Sequence, residues 1–287
     1  MTNPQEFGSP ITDIIRKRIS VRTYQNRSLN HELKIKLRDF ASSLKGPFGG
    51  DLRLEIVENN LALKESKVQL GTYGVIKGAS TYAVPVIKRS NKDLEDFGYI
   101  IETFILFATS LGLGTCWLGG TFKKSDFAKA VALKEDEILP CITPLGYPSS
   151  RRSVLESAMR ITAGSKNRKP WEDLFFKGNF KTTLEVSEAG NYQTPLEMVR
   201  LAPSASNKQP WRIVKNMDNY HFYLQHTKGY AKLLAHDLQR VDMGIALCHF
   251  ERTAKEMGIA GKWSINPPEG IPIPPNTEYV VSWEECG

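Results

Sequence analysis

The 287-residue chain has only four cysteines, Cys116, Cys141, Cys248 and Cys286, and no two of them form a C-x-x-C pair. That spacing excludes a zinc knuckle and a dithiol redox motif. Scattered thiols also suit a reducing compartment better than a disulfide-stapled secreted fold. Histidine is scarce: His31, His221, His226, His236 and His249 do not stand at metal-ligand spacing. The H-E-x-x-H, G-x-S-x-G and P-loop patterns are all missing. With no nucleophile and base in view, and no metal site expected, any enzyme chemistry falls to an organic cofactor.

Long hydrophobic runs are missing too. The most apolar stretch, "YIIETFILFATSLGLG" from Tyr99 to Gly114, is interrupted by Glu102. It falls short of the roughly 20 residues a membrane span needs, so it reads as a buried helix. The first residues lack a basic start followed by an apolar core, which leads us to expect a cytoplasmic protein with no membrane partner. Lys and Arg number 38 against 31 Asp and Glu, a net charge of +7 that favours anionic partners. No Lys/Arg run, RNP-like pattern or zinc-finger pattern accompanies it, so phosphorylated small molecules are expected rather than nucleic acid.

What is present is an ordinary globular composition, 41% hydrophobic and 24% charged, on a chain long enough to bury a core without staples. Ser9-Pro10 and Asn30 read as helix starts, each followed by apolar residues at helical spacing. Strands are expected at 52–58, 82–87, 138–148, 211–216, 220–225, 262–265 and 278–283. Helices are expected at 93–111, 124–133, 153–160, 171–176, 194–201 and 230–257. This is an α+β order with antiparallel-type sheets flanked by helices and long buried central helices, not a regular βαβ series. Residues 96–117 align without a gap on residues 242–263, at an offset of 146 positions. Asp96/Asp242, Gly98/Gly244, Phe104/Phe250, Ala108/Ala254, Gly112/Gly258 and Trp117/Trp263 are identical across it. The match reads as an internal duplication, with halves at 1–178 and 179–287 forming one compact unit.

Four segments carry polar chemistry. In "RKRISVR" an extended backbone puts Arg18, Ser20 and Arg22 on one face, which makes either a phosphate clamp or a solvated basic loop. "GLGTCWLGG" has no dinucleotide fingerprint, because Trp117 stands where G-x-G-x-x-G needs glycine. Gly119 and Gly120 either let a planar ligand approach bare backbone or simply turn the chain. "GYPSSRR" and "SKNRKPWEDLFF" add further basic groups. "LAPSASNKQPW" (201–211) is a stiff polar loop before a strand.

Taken in order, "RISVR", "GLGTCWLGG", "GYP…KNRKPWEDL" and "APSASNKQPW" resemble the FMN-dependent nitroreductase family. The resemblance covers most of the chain and is closest to a branch with two nitroreductase-like halves fused. It implies FMN, with NAD(P)H as reductant and a small electron acceptor such as a nitro compound or quinone. It places Arg18, Ser20 and Arg22 at the phosphate and the flavin's pyrimidine edge. Lys166 and Arg168 also fall near the phosphate. Gly119 and Gly120 come at the N5 and O4 edge, and Thr72 and Tyr73 at a polar contact. Pro203, Ser204, Ala205 and Asn207 match the loop that family homodimers supply from the other subunit. A monomeric pseudo-dimer with one flavin is therefore expected, since no R-x-S-x-R lies in the second half and "ASSLKGPFGGDL" lacks the Pro-Ser and Gln-Pro-Trp features. Ile19 and Gly119 depart from the family, which often has Arg or His at the first position and glutamate at the second. Other outcomes on the same fold are flavin storage or sensing without turnover, dehalogenation and flavin fragmentation.

Overall fold

In the computed structural model, residues 7–59, 70–150, 167–230 and 235–286 are described. The expected helix at 153–160 and Lys166 lie outside them. The chain divides into two compact units. One is continuous, Lys17–Gly164; the other is composite, Met1–Arg16 with Ser165–Gly287. Of the described residues, 7–16 and 167–178 thus pack with the later part of the chain, whereas the sequence pattern groups them with the earlier part.

The continuous unit follows the expected order. Asn30 caps α2 (His31–Ser43), its Oδ1 accepting from Leu33 N at 2.8 Å. Strands β1 (Leu52–Glu58) and β2 (Thr81–Lys88) pair antiparallel in the register Leu52↔Ile87 to Glu58↔Thr81. Then come α3 (Asp93–Ser110), α4 (Lys124–Ala130), β3 (Glu137–Ile138) and β4 (Thr143–Leu145). Both short strands pair with β2, giving a four-stranded sheet among the described residues. The single strand expected at 138–148 is interrupted after Ile138, where Pro140 has no N–H to give a ladder. Val84, Val86, Leu118, Phe127 and Ile142 form the centre of this unit's core. Helix α3 is buried from Leu94 to Thr109, as its nearly continuous apolar sequence requires.

The composite unit contains α1 (Ile11–Lys17) up to Arg16, β5 (Phe175–Lys177), α5 (Gln193–Leu201), β6 (Trp211–Asn216) and β7 (Asn219–Gln225). It ends with α6 (Leu238–Glu256), β8 (Gly261–Ser264) and β9 (Thr277–Glu285). Its strand order is β5-β6-β7-β9-β8, antiparallel except for the parallel pair β5–β6. The helix expected at 171–176 is instead a 3-10 turn, Trp171–Asp173, leading into β5. Pairing of Phe175 with Ile213 overrides the local helical preference. The long helix begins at Leu238, not near Tyr230, because Asp237 caps it by accepting from Gln239 N at 3.0 Å. Phe250 anchors the core, its ring centroid 5.1 Å from Phe222 and 5.7 Å from Trp283.

Helices α3 and α6 repeat one local pattern. Leu111 N, Gly112 N and Leu113 N bond to the carbonyls of Phe107, Thr109 and Ala108. Met257 N, Gly258 N and Ile259 N bond to those of Thr253, Lys255 and Ala254, the same positions 146 residues on. The glycines sit at φ +77° and +74°, the left-handed cap that favours glycine. At the other end, Asp96 accepts from Phe48 N and Gly50 N, and Asp242 accepts from Ala205 N. Each aspartate thus holds the loop before its unit's first hairpin. A Cβ on Gly46 would sit 2.2 Å from Asp96 Oδ1, so glycine is needed for that loop to close around the carboxylate.

Candidate functional site

After α1 the chain runs extended. Ser20 bridges to Thr115, with Val21 N donating to Thr115 O at 2.8 Å. Lys77 N donates to Arg22 O at 2.8 Å, and Tyr24 N to Lys77 O at 2.9 Å. Alternation places Arg18, Ser20 and Arg22 opposite Val21. Val21 is buried so close to Gly114 that a Cβ there would lie 2.9 Å away. Arg18 Nε lies 3.6 Å from Glu102 Oε1, with the two side chains 7% and 0% exposed. Glu102 balances the Arg18 charge without satisfying its donors: Arg18 Nε and Nη1, and Arg22 Nε, are buried without a hydrogen-bond partner. Buried guanidinium N–H groups left unpaired are costly, and an anion with several acceptor oxygens satisfies them. The donor set therefore fits a phosphate.

The glycine segment adjoins this one. Thr115 lies beside Ser20 on one side, while Gly114 N donates to Gly146 O at 2.7 Å on the other. Leu118 and Ile142 exchange backbone bonds at 3.0 Å. Gly119 follows half-buried and Gly120 exposed. Lys123 N donates to Gly71 O at 2.9 Å, which brings the turn after Gly120 to Thr72. Thr72 is buried, whereas Tyr73 is 69% exposed at φ 46°. Trp117 Nε1 donates to Glu102 Oε2 at 2.7 Å. One buried carboxylate thus faces both the arginine motif and the glycine motif. Sequence reasoning missed Glu102 as a functional residue. The available signal was a lone acid inside an apolar helix.

In the composite unit the polar loop is tightly held. Ser206, Asn207 and Gln209 have φ of 48°, 53° and 48°, the left-handed region. Such backbone persists only where the surroundings over-determine it. Here Gln209 N donates to Ser204 Oγ at 2.9 Å and Ala205 N to Asp242 Oδ1 at 2.9 Å. Arg168 donates from Nη1 to Asn207 Oδ1 and from Nη2 to Leu201 O, both at 3.0 Å. Asn207 Nδ2 donates to Asn167 O at 2.7 Å. The structure thus joins the "KNRKP" and "APSASN" segments, with Arg168 bracing the loop; Pro203 is half-buried beside Ser204. Burial pushes the Asp242 carboxyl well above the usual carboxylate value, and its Oδ2 has no partner.

The family described as "Putative TM nitroreductase" matches residues 10–254. The chain belongs to this nitroreductase family. A solved nitroreductase of Thermotoga maritima shares the fold, with a TM-score of 0.58 at 23% identity over 96% of this chain and 94% of that one. A nitroreductase of Desulfitobacterium hafniense solved with bound FMN matches at a TM-score of 0.40 and 22% identity, over 53% of this chain and 93% of its own. Among curated proteins, a Methanothermobacter thermautotrophicus relative is named as an NADH dehydrogenase/NAD(P)H nitroreductase. It is 28% identical over 151 residues, 48% of this chain and 78% of that protein. The α+β fold of mixed helices and largely antiparallel sheets is that of the nitroreductases.

Proposed function

We propose that this nitroreductase is an FMN-dependent enzyme that passes reducing equivalents from NAD(P)H to a small acceptor such as a nitro compound or quinone. The observation that carries the proposal is the set of buried, unpartnered guanidinium donors of Arg18 and Arg22 beside the glycine motif. Family membership supports it, as does the coenzyme in the name of the methanogen relative. When bound, FMN would supply the hydride-accepting centre.

The chain's part is to bind and orient. Arg18, Ser20 and Arg22 would hold the phosphate and pyrimidine edge, and the backbone at Gly119 and Gly120 would approach the ring. Thr72, which is buried, would act through its hydroxyl, and Tyr73 through its exposed ring. The resemblance extends the assignment to Lys166, Arg168, Pro203, Ser204, Ala205 and Asn207. No side-chain acid, base or nucleophile is required, so the reactive geometry would come from positioning alone. None of the four cysteines is in a disulfide, which suits a reducing, cytoplasmic setting.

The test is the absorption spectrum of purified protein, chromatography of the heat-released cofactor, and apoprotein titration. FMN at one equivalent per chain is the expected result; FAD, two equivalents or no flavin after reconstitution would overturn the site. NAD(P)H should bleach the flavin under anaerobic conditions, and a nitro compound or quinone should restore it. Flavin that neither reductant bleaches would point to storage or sensing.

A further inference from the structure

Gln209 in the composite unit is bonded to two basic residues, to Lys169 through the lysine's backbone N–H and to Arg212 through its guanidinium. Gln209 Oε1 accepts from Lys169 N at 2.8 Å, and Gln209 O accepts from Arg212 Nη1 at 3.1 Å. The same Arg212 nitrogen donates to Trp211 O at 2.6 Å, so its protein partners are neutral carbonyls. Lys208 directly precedes Gln209 and is exposed. Arg212 is 7% exposed and Lys169 is half-buried, yet among the described residues no carboxylate lies within ion-pair distance of either. This contrasts with Arg53, Lys88, Lys177 and Arg240, which are paired.

Positive charge is in excess in this cluster. Burial first, then the nearby Arg212 and Lys208 charges, hold the Lys169 ammonium down to about 8, and exposed Asp173 offsets this only in part. Burial likewise lowers Arg212 to about 10, against the opposing charge of Asp173. Buried charges are ordinarily paired. One buried cation, one half-buried and one exposed, with the single exposed acid Asp173 near them, leave positive charge in excess that an anion would balance.

We infer that Lys169, Lys208 and Arg212 form an anion site for a phosphate group other than that of the flavin. The geometry suits a multiply charged phosphate, because an ammonium supplies a point charge while the guanidinium is fixed in plane by its two carbonyls. The nicotinamide reductant carries such groups, as its diphosphate or a 2′-phosphate. Assigning the anion to the reductant rests on the proposed function; the site itself does not.

The experiment is calorimetric titration of the purified holoprotein, in phosphate-free buffer, with inorganic pyrophosphate, NADH and NADPH. Parent, Lys169→Ala, Lys208→Ala and the control Lys262→Ala are compared. Lys208 is exposed, so its variant leaves the core intact if the Lys169 variant folds poorly. Loss of one charge-assisted contact should weaken pyrophosphate binding about tenfold in both test variants and leave the control unchanged. Labelled-lysine NMR should show the Lys169 ammonium titrating above its starting value of about 8 once pyrophosphate is bound.

A parallel loss for NADPH alone assigns the 2′-phosphate, and equal loss for both coenzymes assigns the diphosphate. Loss for pyrophosphate with neither coenzyme affected keeps the site and overturns the reductant as its source. Unchanged pyrophosphate affinity overturns the site, as does equal loss of FMN, which would make it the flavin's own phosphate pocket.

Discussion

Arg18 and Glu102 form a buried ion pair, 3.6 Å between Nε and Oε1, in which the carboxylate is fully enclosed. Removing either partner costs the other its charge complement in a buried setting. Arg18→Ala and Glu102→Ala should each cost about 3–5 kcal/mol of stability. The double variant should cost clearly less than their sum, because the two residues share one interaction. Urea unfolding of the four proteins reads this; simple additivity would show that the pair is not coupled. Arg18→Ala should also weaken FMN about 30- to 150-fold relative to the exposed Arg38→Ala.

Arg22 separates binding from folding. Its Nε is buried without a partner, and it has no ion pair with a described residue. Arg22→Ala should weaken FMN by roughly 10- to 100-fold, the value of a charge-assisted hydrogen bond, while the flavin-free protein keeps the parent's urea midpoint. Flavin fluorescence titration alongside urea unfolding checks both halves.

The paired aspartates should respond differently to amide substitution. Asp96 accepts from two backbone donors, Phe48 N at 2.9 Å and Gly50 N at 2.5 Å. Asp96→Asn turns an amide N–H₂ toward one of them and should cost about 1–3 kcal/mol. Asp242 accepts only from Ala205 N, and its Oδ2 is unpartnered. Asp242→Asn should therefore be the milder change. Because burial raises the Asp242 folded pKa, its contribution is full below about pH 3.9 and is lost as pH rises toward the folded value. Relative to the parent, Asp242→Asn should gain stability between pH 4 and pH 7; a pH-independent difference would refute the assignment.

Arg53 and Glu137 give the opposite slope. Arg53 donates to both carboxylate oxygens, at 2.8 and 2.7 Å, and holds Glu137 down to about 2. That stability is present above the ordinary glutamate value of about 4.3 and is lost as pH falls toward 2. Arg53→Ala should cost about 1–3 kcal/mol at pH 7. The gap to the parent should narrow through that acid window, as urea midpoints at pH 7, 4 and 2.5 would show.

Elements whose signals are local were legible in the sequence. Asn30 before α2, the β1 alternation and the glycine stops of α3 and α6 each encode their own geometry. Strand β5 was not legible, because its pairing with β6 is a tertiary event that outweighs the helix-forming "WEDL" before it. The phosphate-type character of Arg18 and Arg22 could be read from residue type and spacing. What could not be read was that Glu102 stands between Arg18 and Trp117, or that Arg168 bonds to Asn207. Those contacts join residues far apart in the chain, and no one-dimensional pattern carries them.

The composite unit also sets an order of events on the ribosome. Ile11 N donates to Glu256 Oε2 across 245 positions, so α1 is made long before the partner it meets. At synthesis rates of roughly 5–20 residues per second, about 10–50 s separate the two. The continuous unit can finish folding within that interval, because all of its chain has already emerged. Through the same interval Ile11, Ile14 and Ile15, all buried in the finished protein, await the later residues of their unit, and the nascent chain presents them to chaperones or to other chains.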